Sequence, residues 1–340
     1  MSIRTLDDLE RRLATPSPAL VDDLARLDGD LLVLGAGGKM GPSLVALACH
    51  AIAEAGVAKT VTAVSRFSDP EARRLLEAAG AETIALDLLE PGALDGLPDV
   101  ANVVYMVAMK FGTSGQEHLT WAQNAFLPAL VGGRFADARV LAFSSGNIYP
   151  FVPVGSGGCS ERDPVGPVGE YAQSVLGRER MFEYAAHRHG TRSVLLRLNY
   201  AVELRYGTLV DLALAVRDGT PIDLAMGHMN VIWQGDANEV ALRSLHLAAA
   251  PPRVLNVTGP ETVSVRWAAE RLAERLGREP VFVGSEEPTA LLNNAAEAHA
   301  LFGYPRVPLG RMIEWVADWV RAEGPTHGKP TKFGVRTGTF

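Results

Sequence analysis

A short apolar run that ends in glycines constrains this chain more than any other feature. Residues 30–34 read Asp-Leu-Leu-Val-Leu and lead directly into a loop and then a helix-forming run over 40–56; the loop is Gly35-Ala36-Gly37-Gly38-Lys39-Met40-Gly41. The order strand, glycine loop, helix is typical of a dinucleotide site, because a pyrophosphate must approach backbone amides at the start of a helix without side chains in the way. The alternative is a glycine-rich turn that binds nothing.

Each residue of the loop has an expected role in such a site. Gly35 would allow the tight turn, Gly38 or Gly37 the close approach of the pyrophosphate, and Gly41 the packing of helix on strand. Lys39 and Met40 complete the predicted contacts of the loop with the cofactor, and Lys39 would add positive charge there.

The alternation of strands and helices continues to about residue 200. Apolar strands are predicted at 60–64, 82–86, 102–108, 139–143 and 193–198, and helices at 71–79, 115–131 and 168–188. This pattern predicts an α/β fold with a Rossmann-type doubly wound parallel sheet. Further along, the pattern predicts helices at 207–218, 236–249, 263–276, 288–301 and 308–322, a short strand at 253–257 and an irregular tail, Gly324–Phe340.

The pattern of strands and helices divides the chain into three predicted segments. Residues 1–28 would form an N-terminal helical extension, residues 29–200 an NAD(P)-binding Rossmann domain, and residues 201–340 a small C-terminal α/β substrate lobe that packs discontinuously with the first domain.

The ends of the second and third strands indicate which cofactor is bound. No carboxylate follows the second strand, where one would bind the ribose diol of NAD; Ser65 and Arg66 stand there instead. Arg66 could pair with a 2'-phosphate, which favours NADP and leaves NAD as the other choice. Alternatively, Arg66 stacks on adenine or faces solvent. Asp87 and Leu88, after the third strand, would meet the adenine, and the fourth strand would bring Ala108 to the cofactor.

The same pieces, together with later motifs, resemble the extended short-chain dehydrogenase/reductase family, the NAD-dependent epimerase/dehydratase group. The resemblance covers residues 29–322 and includes Phe143-Ser144-Ser145, Ile148-Tyr149, Tyr171 at the start of a helix and Leu196-Arg197-Leu198-Asn199-Tyr200. It implies a catalytic unit of Ser or Thr, Tyr and Lys, in which the tyrosine exchanges a proton with the substrate oxygen while nicotinamide exchanges hydride. Ser145 and Tyr171 match this unit. The lysine expected four residues after the tyrosine is replaced by Val175.

The missing lysine leaves three readings open. Another cation could replace it: Lys110, just after the fourth strand, is our candidate, whereas Arg178 is interpreted as an ion-pairing residue. The reaction could also proceed without an ionised tyrosine, or the site could be degenerate and serve binding or sensing. Gly146 and Asn147 stand where related sugar-nucleotide dehydratases carry an acidic pair, which argues against that elimination.

The predicted function is therefore that of an NAD(P)-dependent oxidoreductase or epimerase acting on a hydroxylated, sugar-like small molecule. The alternative is a catalytically lapsed NADP-binding sensor or regulatory protein. A net charge of -7 argues against nucleic-acid binding. No metal is expected, because nothing near His187 and His189 completes a set of ligands.

Location and assembly can also be predicted. No apolar run approaches the ~18 residues that a membrane span needs, so we expect a cytoplasmic protein with no membrane partner. The resemblance implies a homodimer formed by the helices at 115–131 and 168–188, with Leu127, Leu130, Val175 and Met181 as interface candidates.

Overall fold

A seven-stranded parallel sheet organises the chain, as predicted. We analysed a computed structural model, which describes residues 3–110, 112 and 115–339. The strands are β1 (Leu31–Leu34), β2 (Val61–Ser65), β3 (Glu82–Ala85), β4 (Asn102–Tyr105), β5 (Arg139–Ser145), β6 (Arg192–Leu198) and β7 (Arg253–Val257). They stand in the order β7-β6-β5-β4-β1-β2-β3, and every neighbouring pair is parallel. The strand order reverses between β1 and β4, which is where ligands bind in sheets of this kind.

Strand β7 was predicted as a strand but not as part of this sheet. It lies at the sheet edge beside β6, with Asn256 opposite Arg197. Leu255 and Val257 are buried in the same hydrophobic cluster as the other strands. The chain therefore returns to the central sheet after part of the lobe has formed, in keeping with the discontinuous packing that was predicted for the lobe. The division at residue 200 stays a prediction.

Helices cover both faces of the sheet and build the lobe. They are α1 (Leu6–Leu13), α2 (Pro18–Arg26), α3 (Gly41–Ala55), α4 (Pro70–Ala78), α5 (Glu117–Trp121), α6 (Leu127–Arg134), α7 (Gly169–His189), α8 (Thr208–Asp218), α9 (Gln234–Arg243), α10 (Val265–Leu276), α11 (Ala296–Phe302) and α12 (Leu309–Arg321). Four two-residue strand pairs complete the structure: Val152–Pro153 with Thr289–Ala290, Ala201–Val202 with Ile232–Trp233, Ile222–Asp223 with Phe282–Val283, and His228–Met229 with Val263–Ser264. No helix in the described part of the chain is both long and apolar enough to cross a membrane.

Two predicted helices differ from the structure. The helix at 115–131 is split by a π turn over Ala122–Phe126, because Pro128 has no N–H to donate to the carbonyl of Asn124. The helix at 288–301 begins only at Ala296, whose N–H is bound by the Asn294 side chain at 2.9 Å. The asparagine thus caps the helix start instead of lying within it.

Alternate residues of the strands build two separate apolar layers, as the pleat of a strand requires. Leu31 and Val33 on β1 point to the face covered by α2, α3 and α9, whereas Leu32 and Leu34 point to the face covered by α6 and α7. A third cluster fills the lobe, between α8, α10 and α12. The sheet is therefore buried on both faces, which explains the near-continuous apolar strands of the sequence.

The predicted N-terminal extension touches two of these cores. Leu20 and Leu24 of α2 belong to the cluster on one face of the sheet, and Leu9 and Leu13 of α1 belong to the cluster of the lobe. Ser17, between the two helices, caps α2 and donates a 2.5 Å hydrogen bond to Glu239 of α9. The extension is thus an integral part of the fold.

Candidate functional site

The glycine loop lies at the switch point of the sheet and is shaped by close backbone contacts. Gly35 has φ +87°, and a Cβ there would lie 2.8 Å from the backbone nitrogen of Val107, in the segment after β4. A Cβ on Gly41 would lie 2.1 Å from the carbonyl oxygen of Ala36. Both positions therefore have no room for a side chain: Gly35 lies against the segment after β4, and Gly41 lies against the backbone of the loop itself.

Gly37 and Gly38 have different surroundings. A Cβ on Gly37 would lie 2.5 Å from the Ser65 hydroxyl and 3.1 Å from the Ser65 Cβ, at the end of β2, so Gly37 packs closely against Ser65. Around Gly38 the nearest atom is the Gly35 carbonyl oxygen, at 3.4 Å, and the residue is exposed. Helix α3 begins at Gly41, and its N-cap residue, Met40, makes no side-chain cap hydrogen bond. Open space at Gly38 and uncapped N–H groups beside it suit a bound phosphate.

The residues predicted for the adenosine half lie at the ends of β2 and β3. A guanidinium nitrogen of Arg66 is 3.8 Å from a carboxylate oxygen of Asp87, and the Arg66 side chain is 62% exposed. Leu88 is buried behind them. Ala108 is exposed beyond the end of β4. The Arg66 guanidinium is thus exposed to solvent and close to an exposed carboxylate, so Arg66 is accessible to a phosphate.

Lys39 extends toward the lobe, which differs from the expectation that it adds charge beside Arg66. Its ammonium group donates a 3.0 Å hydrogen bond to the Ala201 carbonyl and lies 4.5 Å from the centre of the Tyr206 ring. Burial lowers the pKa of Lys39 to about 8, against the opposing effect of Glu203. A carbonyl and an aromatic face hold this cation on the opposite side of the crevice.

The three predicted catalytic side chains are brought together beyond the carboxyl ends of β4 and β5. Tyr171, in the first turn of α7, is buried and shares a side-chain hydrogen bond with Ser145. The Lys110 ammonium group lies 5.8 Å from the centre of the Tyr171 ring. Burial raises the pKa of Tyr171, whereas Arg178 and Ser145 act to lower it. Burial lowers the pKa of Lys110 to about 8, with Asp211 opposing.

Val175 fills the position of the expected lysine with apolar volume. It is fully buried in a small cluster with Ile148, Tyr149, Cys159 and Tyr171. A lysine head group in this place would lose its water without gaining a carboxylate from these neighbours. The packing around this position therefore suits an apolar side chain.

Arg178 is not the ion-pairing residue that was expected. Its guanidinium donates to the carbonyl oxygens of Val107 and Phe143 and to the side chain of Asn124, and the residue is only 2% exposed. Within the described ranges no carboxylate lies within 4 Å of it. Arg178 thus ties the ends of β4 and β5 to α7 and places an uncompensated positive charge behind Tyr171.

A buried ionic network beneath Ser145 was missed by the sequence analysis. Glu179 of α7 accepts two hydrogen bonds from Arg197 of β6, at 2.7 and 3.0 Å, and one from the Ser144 hydroxyl at 2.5 Å. Arg197 also donates to the Tyr149 hydroxyl at 2.6 Å, which donates to Asn256 of β7 at 2.9 Å. The only sequence signal for it is an arginine within the apolar run Leu195–Leu198.

The lobe adds further polar groups near the catalytic candidates: Tyr206, which the sequence offered as a possible substrate contact, and Asp211 with Thr331, which it did not. Tyr206 faces Asp211 and Tyr171 closely enough for both to raise its pKa, although burial is the larger cause. The Asp211 carboxylate accepts hydrogen bonds from the backbone and the hydroxyl of Thr331, at 2.8 and 2.5 Å. Thr331 comes from the C-terminal tail, so the tail reaches the neighbourhood of the catalytic candidates. Over the described residues, no group of three or more His, Cys, Asp or Glu side chains could hold a metal ion.

Comparison with protein families decides the assignment. The pattern of the NAD dependent epimerase/dehydratase family matches residues 31–202. The chain belongs to this family. The predicted class, a nicotinamide-dependent oxidoreductase or epimerase, is confirmed at the level of the family, and the chain is an enzyme of this type. Comparison with curated protein sequences gives no significant match.

Solved structures of similar fold include three UDP-sugar 4-epimerases. UDP-glucuronic acid 4-epimerase from Bacillus cereus, in complex with NAD, has a TM-score of 0.72 at 18% identity and matches 86% of this chain and 96% of its own. UDP-glucose 4-epimerase from Thermotoga maritima, with UDP-glucose, has a TM-score of 0.70 at 15% identity, with 86% and 99% covered. The Thermus thermophilus UDP-glucose 4-epimerase complex with NAD has a TM-score of 0.70 at 18% identity, with 87% and 99% covered. At these identities the likeness shows the fold.

The buried network generates a test of stability. Glu179→Gln removes the only carboxylate that pairs with buried Arg197 among the described residues, and we expect a loss of about 3–5 kcal/mol in the free energy of unfolding. Glu183→Gln on the same helix is the matched control, because its pair with Arg180 is exposed and should contribute less than about 1 kcal/mol. Urea denaturation measures both variants. Equal losses would show that burial of the Glu179 pair has no special effect.

Proposed function

We propose that Tyr171 is the proton-transfer residue of this enzyme, with Ser145 binding the same oxygen and Lys110 supplying the positive charge of the missing lysine. The substrate is a hydroxylated, sugar-like small molecule, a class supported by the neighbours that are described with UDP-glucuronic acid and UDP-glucose. The observation that carries the proposal is the convergence of Ser145 and Lys110 on Tyr171, although the three residues come from different segments of the chain.

The chemistry follows from this arrangement. A nicotinamide cofactor held by the glycine loop would supply the hydride acceptor, and in the reverse direction the hydride donor, for the substrate carbinol carbon. The tyrosine oxygen takes the hydroxyl proton as the carbonyl forms and gives it back in the reverse direction. Ser145 orients the reacting oxygen through its hydrogen bond. A nearby cation favours the tyrosinate, and the charge of Arg178 opposes the effect of burial on the pKa of Tyr171. Lys110, whose ammonium lies 5.8 Å from the centre of the ring, is proposed to add to this effect.

The glycine loop, Ser65, Arg66, Asp87, Leu88 and Ala108 form the proposed cofactor site, and we propose NADP as the preferred cofactor. An exposed Arg66 and the absence of a carboxylate directly after β2 support this preference. The neighbours that carry a cofactor in their descriptions hold NAD, so the choice between the two cofactors is a property to be measured on this chain.

Titration calorimetry with NADP and NAD tests the cofactor site. Gly38→Ala should weaken both cofactors at least tenfold, because the added methyl group takes the space left for the phosphates. Arg66→Ala should weaken NADP about tenfold and leave NAD unchanged, and Arg74→Ala, an exposed arginine paired with Glu71, is the control. If the unaltered chain binds NAD at least as tightly as NADP, the role of Arg66 is wrong. If it binds neither, the loop is only structural.

The pH dependence of turnover tests Lys110. Its ammonium is charged below its pKa of about 8 and neutral above it, so activity should fall as the pH rises through 8. Lys110→Met should lower the rate by ~10²–10⁴ and remove this descending limb, and Lys110→Arg should move the limb to higher pH. Tyr171→Phe should be inactive. A panel of sugars, polyols and sugar acids measures all four proteins, by NADPH absorbance for net oxidation or reduction and by chromatography of the products for epimerisation, which leaves the cofactor unchanged.

Two results would contradict the proposal. If Tyr171→Phe is inactive and Lys110→Met is unaffected, Lys110 does not replace the lysine. If the chain binds cofactor tightly and turns over no compound of the panel, the alternative of a lapsed NADP-binding sensor is favoured.

We also propose a homodimer that uses the surface of α5, the π turn, α6 and α7. Of the four interface candidates, Leu127 and Val175 are core residues, Met181 is half-buried and Leu130 is 41% exposed. The exposed apolar side chains that the sequence analysis missed on the same surface are Trp121, Phe126 and Tyr184. A cytoplasmic location stays a prediction.

Sedimentation velocity at micromolar concentration tests the dimer. The unaltered chain should sediment as a dimer, and Phe126→Glu should give a monomer, because Phe126 is the most exposed of the apolar side chains named on the proposed surface, at 57%. Leu301→Glu places the same charge at an exposed apolar residue of α11 and should leave the dimer intact. A stable monomer of the unaltered chain would reject the proposal.

A further inference from the structure

The C-terminal tail is fixed to the lobe along its length, although it contains no helix or strand. We call residues 324–339 the strap. Its backbone and side chains bind at successive points: His327 donates to the Arg205 carbonyl at 3.0 Å, Thr331 donates to Asp211, and Arg336 donates to the backbone and hydroxyl oxygens of Thr289 at 2.8 and 2.7 Å. The strap is therefore a built part of the structure.

The end of the strap contacts the start of the helix that carries Tyr171. A Cβ on Gly169 would lie 2.4 Å from the carbonyl oxygen of Gly338, and a Cβ on Gly338 would lie 2.2 Å from that of Val168. Both glycines have positive φ, +82° and +74°. Two backbones thus touch only two residues before Tyr171, and the strap spans from the lobe to α7.

The strap also lies on the side of the catalytic pair where a substrate must bind. The proposed cofactor approaches Ser145 and Tyr171 from the glycine loop, so a substrate has to approach them from the lobe. On the lobe side, the Thr331 hydroxyl donates a hydrogen bond to the Asp211 carboxylate, and the charge of Asp211 acts to raise the pKa of Lys110.

Little room is left beneath the strap. Val335 and Gly338 line a small cavity together with Asn147, Tyr149, Tyr200 and Met226. Its volume is about 20 Å³, whereas pockets for drug-sized ligands measure roughly 300–1,000 Å³. This cavity is therefore too small for a nucleoside diphosphate.

The similar structures lack part of this chain. The Thermotoga maritima enzyme with UDP-glucose is matched over 99% of its own length but over only 86% of this chain. This chain therefore carries segments that are additional to a fold described with a nucleotide sugar.

We infer that the strap is a specificity element: it closes the substrate side of the site and restricts the substrate to a compact hydroxylated compound without a nucleoside diphosphate. This inference rests on the proposed function and names its substrate class. The strap excludes larger ligands by occupying their space and by its contact at Gly338.

Calorimetric titration with UDP-glucuronic acid tests the inference in the presence of NADP. The full chain should show no binding up to millimolar concentration. Gly338→Ala should bind at least tenfold more tightly, because its methyl group would overlap the Val168 carbonyl and displace the end of the strap. Gly328→Ala is the matched control: this strap glycine also has positive φ, but no atom lies within 4 Å of its Cβ position. It should behave as the unaltered chain does. A chain ending at Glu323 should bind as Gly338→Ala does.

The outcomes separate the inference from the proposed function. If the full chain binds both NADP and micromolar UDP-glucuronic acid, the strap inference is overturned and the proposed function stands. If Gly338→Ala and the shortened chain bind UDP-glucuronic acid no better than the full chain, the strap is not what excludes it, and the inference is equally overturned. If no cofactor binds in the same calorimeter, the proposed function itself fails. Should the shortened chain not fold, the comparison of Gly338→Ala with Gly328→Ala decides.

Discussion

The buried pair of Glu179 and Arg197 holds the site together. A carboxylate and a guanidinium removed from water are tolerated only when each has a partner of opposite charge and further hydrogen bonds. Here Ser144 and Tyr149 supply those further bonds, so α7 and strands β5, β6 and β7 meet at one point. Ser144 is the neighbour of Ser145. The position of the candidate catalytic serine is therefore fixed by an interaction one residue away.

Helix α7 carries much of the chemistry on one face. Tyr171, Val175, Arg178 and Glu179 follow one another at spacings of four, three and one residue, which brings them to the buried side of a single helix. Tyr171 faces the crevice and Val175 packs in an apolar cluster. Arg178 and Glu179 bind the sheet. The second position holds a valine in this chain, and the nearest cationic groups on the described residues are those of Lys110 and Arg178. In the proposed mechanism these two residues supply the positive charge beside Tyr171.

The sequence predicted those features that depend on local patterns. The glycine loop needs a strand before it and a helix after it, and both are visible in residues 30–56. Placing Lys110 near Tyr171 required only the rule that parallel strands end at the same edge.

The direction of the Lys39 side chain could not be predicted, because it depends on Tyr206 and Ala201, some 160 residues away in sequence. The same holds for β7, which joins the sheet only after the lobe is built, and for Thr331, whose partner Asp211 lies 120 residues earlier. Long-range partners of polar side chains leave no periodic signal.

The N-terminal extension has a consequence for the behaviour of the whole molecule. Its two helices contribute leucines to different cores, α2 to one face of the sheet and α1 to the lobe, and Arg205 of the lobe also pairs with Glu10 of α1. Separating the lobe from the sheet would therefore expose apolar surface of both cores at once. Opening free energies are high where many buried apolar contacts must be broken together. The sheet and the lobe should accordingly unfold as one cooperative unit. Motion should be confined to segments that do not contribute to either of the two hydrophobic cores.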